Sequence, residues 1–251
     1  MYNQKSIMTV RYEINPPKVS DDGQDARNVL FERINMIGSV CNGIHLTDSV
    51  LGIPRVSPFE IAKKIRESNK DMKITCSLRV RDRNLNELKK IVEESIGIVD
   101  GILVLMGDKS DKSSNKEELI PSQVVKALNE DGFGKKTELF LSIPSNPNFA
   151  KIQKKIDANR TGFFTQVVHS KDQIEKISNQ LGSNDFKIIP CLLLPSHKNL
   201  KSAEFLKIDW SDYKENIVGF INEIHGITDD ILITSPNDFK RAYETISKLA
   251  I

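Results

Sequence analysis

Eight short runs rich in β-branched and aromatic residues alternate with about eight helix-period segments over 251 residues. The repeat of about 30 residues matches the usual size and order of a (β/α)8, or TIM, barrel. A doubly wound open sheet uses the same alternation, but no Gly-x-Gly-x-x-Gly follows the first run, which removes its usual dinucleotide fingerprint. No linker or compositional shift interrupts the pattern, so residues 1–251 are expected to form a single barrel domain.

Taken in order, 7–14 (IMTVRYEI) reads as a strand that ends at Asn15-Pro16-Pro17, where the ladder cannot continue. Val29, Leu30, Arg33, Ile34 and Ile37 then fall at helical spacing. Residues 43–47 form a second strand, and Ser57-Pro58 opens a helix with proline at its first position. Strand 72–78 is followed by a helix from Asn84 to about Ser95. Residues 101–106 (GILVLM) form the most apolar run, expected to be a strand buried on both faces. A helix begins at Pro121, a strand covers 138–143 and a helix 148–158. Strand 162–168 precedes Ser170, whose partner Gln173 three residues on marks a capping box for a helix to Leu181. Strand 186–194, one or two helices in 198–225, strand 230–234 and a helix over 237–249 complete the chain. Polar, Ser/Lys-rich 109–116 is the clearest loop.

Composition excludes several classes. Hydrophobic residues are 39% and charged residues 28%, which is a globular balance rather than a disordered one. Thirty-six Lys+Arg against 34 Asp+Glu leave a formal charge of +2, so no overall field favours nucleic acid or a membrane surface. No apolar run approaches the roughly 20 residues that span a bilayer, and the N-terminus lacks a signal-peptide pattern. Cys41, Cys76 and Cys191 form neither a disulfide framework nor a zinc pattern, which points to a reducing, cytoplasmic setting. The four histidines are not paired at metal-ligand spacing, so no metal is expected.

In a barrel, chemistry collects at the C-terminal ends of the strands. Glu13 ends the first strand. It is either a rim carboxylate paired with Arg11 or Lys18, or a general acid whose pKa is raised in a partly dry pocket. Asp108, after Gly107, either accepts hydrogen bonds from a ligand's N–H groups or serves as a turn aspartate. Gln166, inside an apolar strand, needs partners for its amide, supplied by a bound heterocycle or by neighbouring loop backbone. Arg79, Arg81 and Arg83 either meet an anionic ligand tail or form a solvated rim.

An ordered set of segments then emerges: Glu13-Ile14-Asn15-Pro16-Pro17, Ile74-Thr75-Cys76, Gly107-Asp108, Asp157-Ala158, Thr165-Gln166 and Ile188-Ile189-Pro190. Over about residues 8 to 245 this set resembles the methylenetetrahydrofolate reductase family. Those (β/α)8 flavoproteins carry Glu-Phe-x-Pro-Pro, His-Leu-Thr-Cys, Arg-Gly-Asp, Ile-Thr-Gln and Ile-Pro-Gly-Ile. The resemblance implies an oxidoreductase of one-carbon metabolism, serving methionine biosynthesis. NAD(P)H would reduce FAD, and the reduced flavin would convert 5,10-methylenetetrahydrofolate to its 5-methyl form. It further implies Glu13 as general acid, Asp108 beside flavin and pterin as a catalytic and substrate-binding group, and Gln166 as a folate contact. Thr47, Thr75, Gly107, Lys151, Lys154 and Lys155 would serve the cofactor. The chain departs from the family at Lys73 (a histidine there), Met106 (an arginine) and Ile143-Pro144-Ser145-Asn146 (Tyr-Pro-Glu-x-His). These losses fall mainly on flavin contacts. A flavin-free barrel that binds a pterin or a partner subunit of a one-carbon complex is the alternative, with an unrelated (β/α)8 lyase or aldolase behind it. Homo-oligomerisation is open under either reading.

Overall fold

The computed structural model describes residues 8–108, 119–158, 161–182, 186–228 and 230–249; the expected loop at 109–116 lies outside them. Eight parallel strands close into a barrel in sequence order: β1 (Thr9–Ile14), β2 (Gly43–Leu46), β3 (Lys73–Arg79), β4 (Gly101–Leu105), β5 (Glu138–Ile143), β6 (Gly162–Val167), β7 (Lys187–Leu193) and β8 (Asp230–Thr234). Closure is made by β1 against β8, with Thr9 opposite Asp230 and Tyr12 opposite Ile233. The (β/α)8 expectation therefore holds, and the open sheet is excluded.

Nine α-helices among the described residues surround the strands: α1 (Gln24–Gly38), α2 (Pro58–Ser68), α3 (Leu85–Ser95), α4 (Pro121–Glu130), α5 (Phe149–Ala158), α6 (Lys171–Leu181), α7 (Leu200–Leu206), α8 (Ile217–His225) and α9 (Phe239–Ile246). Local chemistry sets several starts. The Asn84 side chain accepts from the Glu87 N–H at 2.9 Å, and the Glu87 carboxylate accepts from the Asn84 N–H at 2.7 Å. Gln173 turns back in the same way, accepting from the Ser170 N–H at 3.3 Å. Helix α9 starts two residues later than the periodicity predicts, because the Asp238 carboxylate caps it by accepting from the Arg241 N–H. Segment 198–225 resolves into two helices. The second is capped by Asn216, whose side chain accepts from Gly219 N–H at 3.0 Å.

Alternation along the strands sorts side chains into two compartments. Outward residues such as Ile44, Leu46, Ile74, Ile102 and Val104 are fully buried against the helix layer. Inward residues Leu103, Phe140, Phe164, Ile189, Cys191 and Leu232 fill the middle of the barrel, with Phe140 and Phe164 edge-to-face at 5.1 Å. Strand β4 is thus buried on both faces, as its composition requires. Toward the N-terminal end the interior turns polar, with Arg11 paired to Asp230, and at the exposed rim Lys187 pairs with Glu138. Above the apolar layer lies the open mouth.

Strand β6 is irregular. Phe164 opposes Ile189 and Val167 opposes Cys191, so two residues of β6 face the single Pro190. Proline has no N–H for the ladder. The Cys191 N–H is satisfied instead by the Thr165 hydroxyl at 3.1 Å. This bulge leaves Gln166 exposed at the mouth.

Candidate functional site

The mouth encloses a cavity of about 630 Å³ at the C-terminal ends of the strands. Glu13 from β1, Asp108 after β4 and Gln166 from β6 all line it. Three residues separated by more than 50 positions along the chain are therefore brought to one cavity.

Glu13 points inward, with Tyr12 and Ile14 facing the helices. It has neither of the expected cationic partners: Arg11 is committed to Asp230, and Lys18 sits 3.8 Å from Asp21. The rim ion-pair reading of Glu13 is thereby corrected. Its partner is the Thr234 hydroxyl, which donates to Oε1 at 2.7 Å. Burial pushes its pKa above the usual carboxylate range, and the Thr234 bond only partly offsets this.

Beside it on β2, His45 also faces inward, opposite Glu13 in the strand register. It is 1% exposed and lies against Phe164 at 5.1 Å. Nδ1 lies 2.9 Å from the Thr75 hydroxyl and Nε2 3.0 Å from that of Ser77. Thr75 donates its single hydroxyl proton to the Ile44 carbonyl at 3.2 Å, so it accepts from His45. That assigns the proton to Nδ1 and leaves Nε2 accepting from Ser77. Burial, aided by the Arg11 charge, lowers the His45 pKa to about 3. A neutral imidazole next to Glu13 gives the carboxylate no stabilising charge. His45 was unremarkable as a motif; its inward position in β2 was the available signal.

Asp108 is exposed, and its Oδ2 accepts from the Leu51 N–H at 2.8 Å. It thus ties down the loop after β2, where Ser49 and Leu51 adopt left-handed backbone. Its other oxygen faces no donor among the described residues. Gly107 has φ +81°, and a Cβ there would run into Arg79. Gln166 makes no hydrogen bond among the described residues, so its amide is available to the cavity.

The arginines after β3 do not line the cavity and are held by the loops around it. Arg79 pairs with Asp82 at 2.8 Å, Arg83 with the buried Asp48 at 3.0 Å, and Arg81 Nε donates to the Gly107 carbonyl at 3.1 Å. They brace the loops that frame the mouth. Leu206 at the end of α7, with Lys207 and Ile208 just after it, completes the rim.

The cofactor positions divide. Thr47 and Gly107 line the cavity, and the Thr47 hydroxyl donates to Asn15 Oδ1 at 2.6 Å. Thr75 is fully buried and committed to His45 and Ile44. Lys151, Lys154 and Lys155 lie on α5 and do not line the cavity. Lys155 donates to the Ser142 carbonyl at 2.6 Å, and burial lowers its pKa. The described residues hold no group of three His, Cys, Asp or Glu side chains placed to bind a metal ion. No helix among them is long and apolar enough to cross a membrane.

No family model matches the chain, and no curated protein matches it. Solved structures share the fold. A protein from Clostridium thermocellum described as binding two copies of 5-methyl-5,6,7,8-tetrahydrofolic acid superposes with TM-score 0.68 at 16% identity. The match covers 96% of this chain and 94% of that one. A protein from Aquifex aeolicus gives 0.59 at 10% identity, covering 98% and 92%. A 2,3-dimethylmalate lyase of the PEP mutase/isocitrate lyase superfamily gives 0.55 at 10%, covering 92% and 74%. At these identities the likeness establishes the barrel alone.

Proposed function

We propose that the mouth binds a reduced pterin one-carbon carrier of the tetrahydrofolate type, and that Glu13 supplies a proton to it. The observation behind this is a carboxyl group whose pKa is raised by burial, without a cation beside it, lining the same cavity as an unpartnered amide and a half-free carboxylate. A pterin ring presents adjacent donors and acceptors that match Gln166 and Asp108. The cavity of about 630 Å³ suits one such molecule. The 5-methyltetrahydrofolic acid bound by the Clostridium thermocellum protein of the same fold supports the ligand class.

The chemistry fitting this arrangement is the methylenetetrahydrofolate reductase type. A proton from Glu13 to N10 of a 5,10-methylene carrier lets the N10–CH2 bond break with its electrons left on nitrogen. An electrophilic N5 iminium results, and Glu13 becomes a carboxylate held by Thr234. Hydride addition to that carbon completes a 5-methyl group, with NAD(P)H as the proposed source of reducing equivalents. The placement of Lys151, Lys154 and Lys155 off the cavity favours a second reading, a flavin-free barrel that binds the carrier within a larger one-carbon complex.

Calorimetric titration with 5-methyltetrahydrofolate tests the binding, and Gln166→Ala should weaken it about tenfold. Failure of the wild-type chain to bind would overturn the proposal. Turnover of 5,10-methylenetetrahydrofolate with NADH or NADPH, with and without added FAD, separates the two readings. Reductase action predicts turnover that Glu13→Gln abolishes while carrier binding survives. Binding without turnover under all conditions leaves the flavin-free barrel.

A further inference from the structure

The hydrogen bonds around His45 form a relay that runs in one direction. The Thr75 hydroxyl donates to the Ile44 carbonyl at 3.2 Å, so its oxygen takes the His45 Nδ1 proton at 2.9 Å. A neutral imidazole carries one ring proton. With that proton on Nδ1, Nε2 holds a lone pair, and the Ser77 hydroxyl donates to it at 3.0 Å.

Ser77 stands at the cavity end of this relay. Along β3, Ile74, Cys76 and Leu78 pack toward the helices, while Thr75 and Ser77 face inward. Ser77 lies opposite Leu103 in the strand register and lines the cavity with Leu103 and Phe164. A serine hydroxyl usually rotates to donate or accept as its neighbour requires. This one is not free to do so, because turning away would leave the buried Nε2 without a donor. The single Ser77 proton is thus spent on His45, and its oxygen accepts from no group among the described residues. Ser77 is 3% exposed, and the surface it keeps belongs to the cavity, so a donor for its lone pairs comes from the cavity contents.

We infer that Ser77 is a specificity-determining residue of the mouth, a fixed acceptor that takes an N–H of the ligand and so selects a reduced pterin ring over an oxidised one. The inference rests on the carrier reading given above. The 5,10-methylene and 5-methyl carriers both have N5 substituted. N8–H is therefore the ring donor that reduction creates and that substrate and product share. In an oxidised pteridine N8 has no hydrogen and is itself an acceptor. Placed against Ser77 it would set lone pair against lone pair in a poorly solvated corner, and a site built to accept an N–H rejects the analogue that lacks it.

The test compares 5-methyltetrahydrofolate with folic acid, which keeps the same tail on an oxidised ring, by calorimetric titration of the whole chain. Wild type should bind the reduced molecule about a hundredfold more tightly. Ser77→Ala, checked for folding by circular dichroism, should weaken 5-methyltetrahydrofolate about tenfold and change folic acid less than about twofold, which narrows the gap. Long-range proton–nitrogen correlation on wild-type protein with isotope-labelled histidine needs no variant to fold, and should place the His45 ring proton on Nδ1. A proton on Nε2 would make Ser77 a donor toward the cavity. That result, equal affinity for the two ligands, or a gap that folded Ser77→Ala leaves unchanged would overturn the inference while the carrier reading stands. Absence of 5-methyltetrahydrofolate binding by the wild type overturns both.

Discussion

Two neighbouring side chains at the mouth resist ionisation in opposite senses, and their stability signatures differ accordingly. His45 has a folded pKa of about 3 against an ordinary value of 6.5. The unfolded chain takes up a proton below about pH 6.5 while the folded chain refuses it until about pH 3. The His45 contribution is thus intact above the upper value and lost as pH falls through this window. At about 1.4 kcal/mol per unit the loss is of order 5 kcal/mol. In urea unfolding between these limits, His45→Gln should flatten the acid limb relative to wild type. Glu13 behaves inversely, since its folded pKa is raised. Its favourable state exists below the ordinary carboxylate value and is lost as pH rises toward the folded one. Glu13→Gln should therefore match wild-type stability below about pH 4 and exceed it at neutral pH, where Tm comparison gives the sign. Glu13, Asp108 and Gln166 were legible because each stands at a strand end. The role of His45 was not, because it depends on Thr75 and Ser77 arriving beside it from β3. The ion pairs of the arginines after β3 were illegible for a related reason. Asp48, which holds Arg83, is 35 residues away in the chain.

At the level of elements, helix starts are written in local chemistry and can be tested singly. Asn84→Ala removes the bond its side chain accepts from the Glu87 N–H and should cost about 1 kcal/mol, or about 2–4 °C in Tm for a chain of this size. A loss well below half of that would show that packing of α3 alone fixes its start. The same locality explains why strand and helix positions could be read within a residue or two for most elements. Period-2 and period-3.6 patterns are properties of neighbouring residues. The bulge in β6 escaped such reading, because nothing in GFFTQVV signals it. Its cause sits across the ladder, in Pro190 of β7. The exposure of Gln166 is thus a consequence of a proline 24 positions later in the chain.

For the molecule as a whole, the seam between β1 and β8 is where the first and last strands join, and Arg11–Asp230 sits inside it. Arg11 is 3% exposed and Asp230 16%, so removing one partner strands a poorly solvated charge. Arg11→Met should lower stability by about 3 kcal/mol, and the Arg11→Met/Asp230→Leu double variant should recover most of it. Thermal melts of the four members of this cycle measure the coupling. Simple loss of both terms in the double variant would mean that the pair is not what closes the seam. The barrel topology itself was legible from repeat length and alternation, which survive even where identity to similar folds drops to 10%. Finally, the layer of Leu103, Phe140, Phe164, Ile189 and Leu232 plugs the barrel's axis. Among the described residues this layer closes the floor of the mouth, which makes it a cul-de-sac.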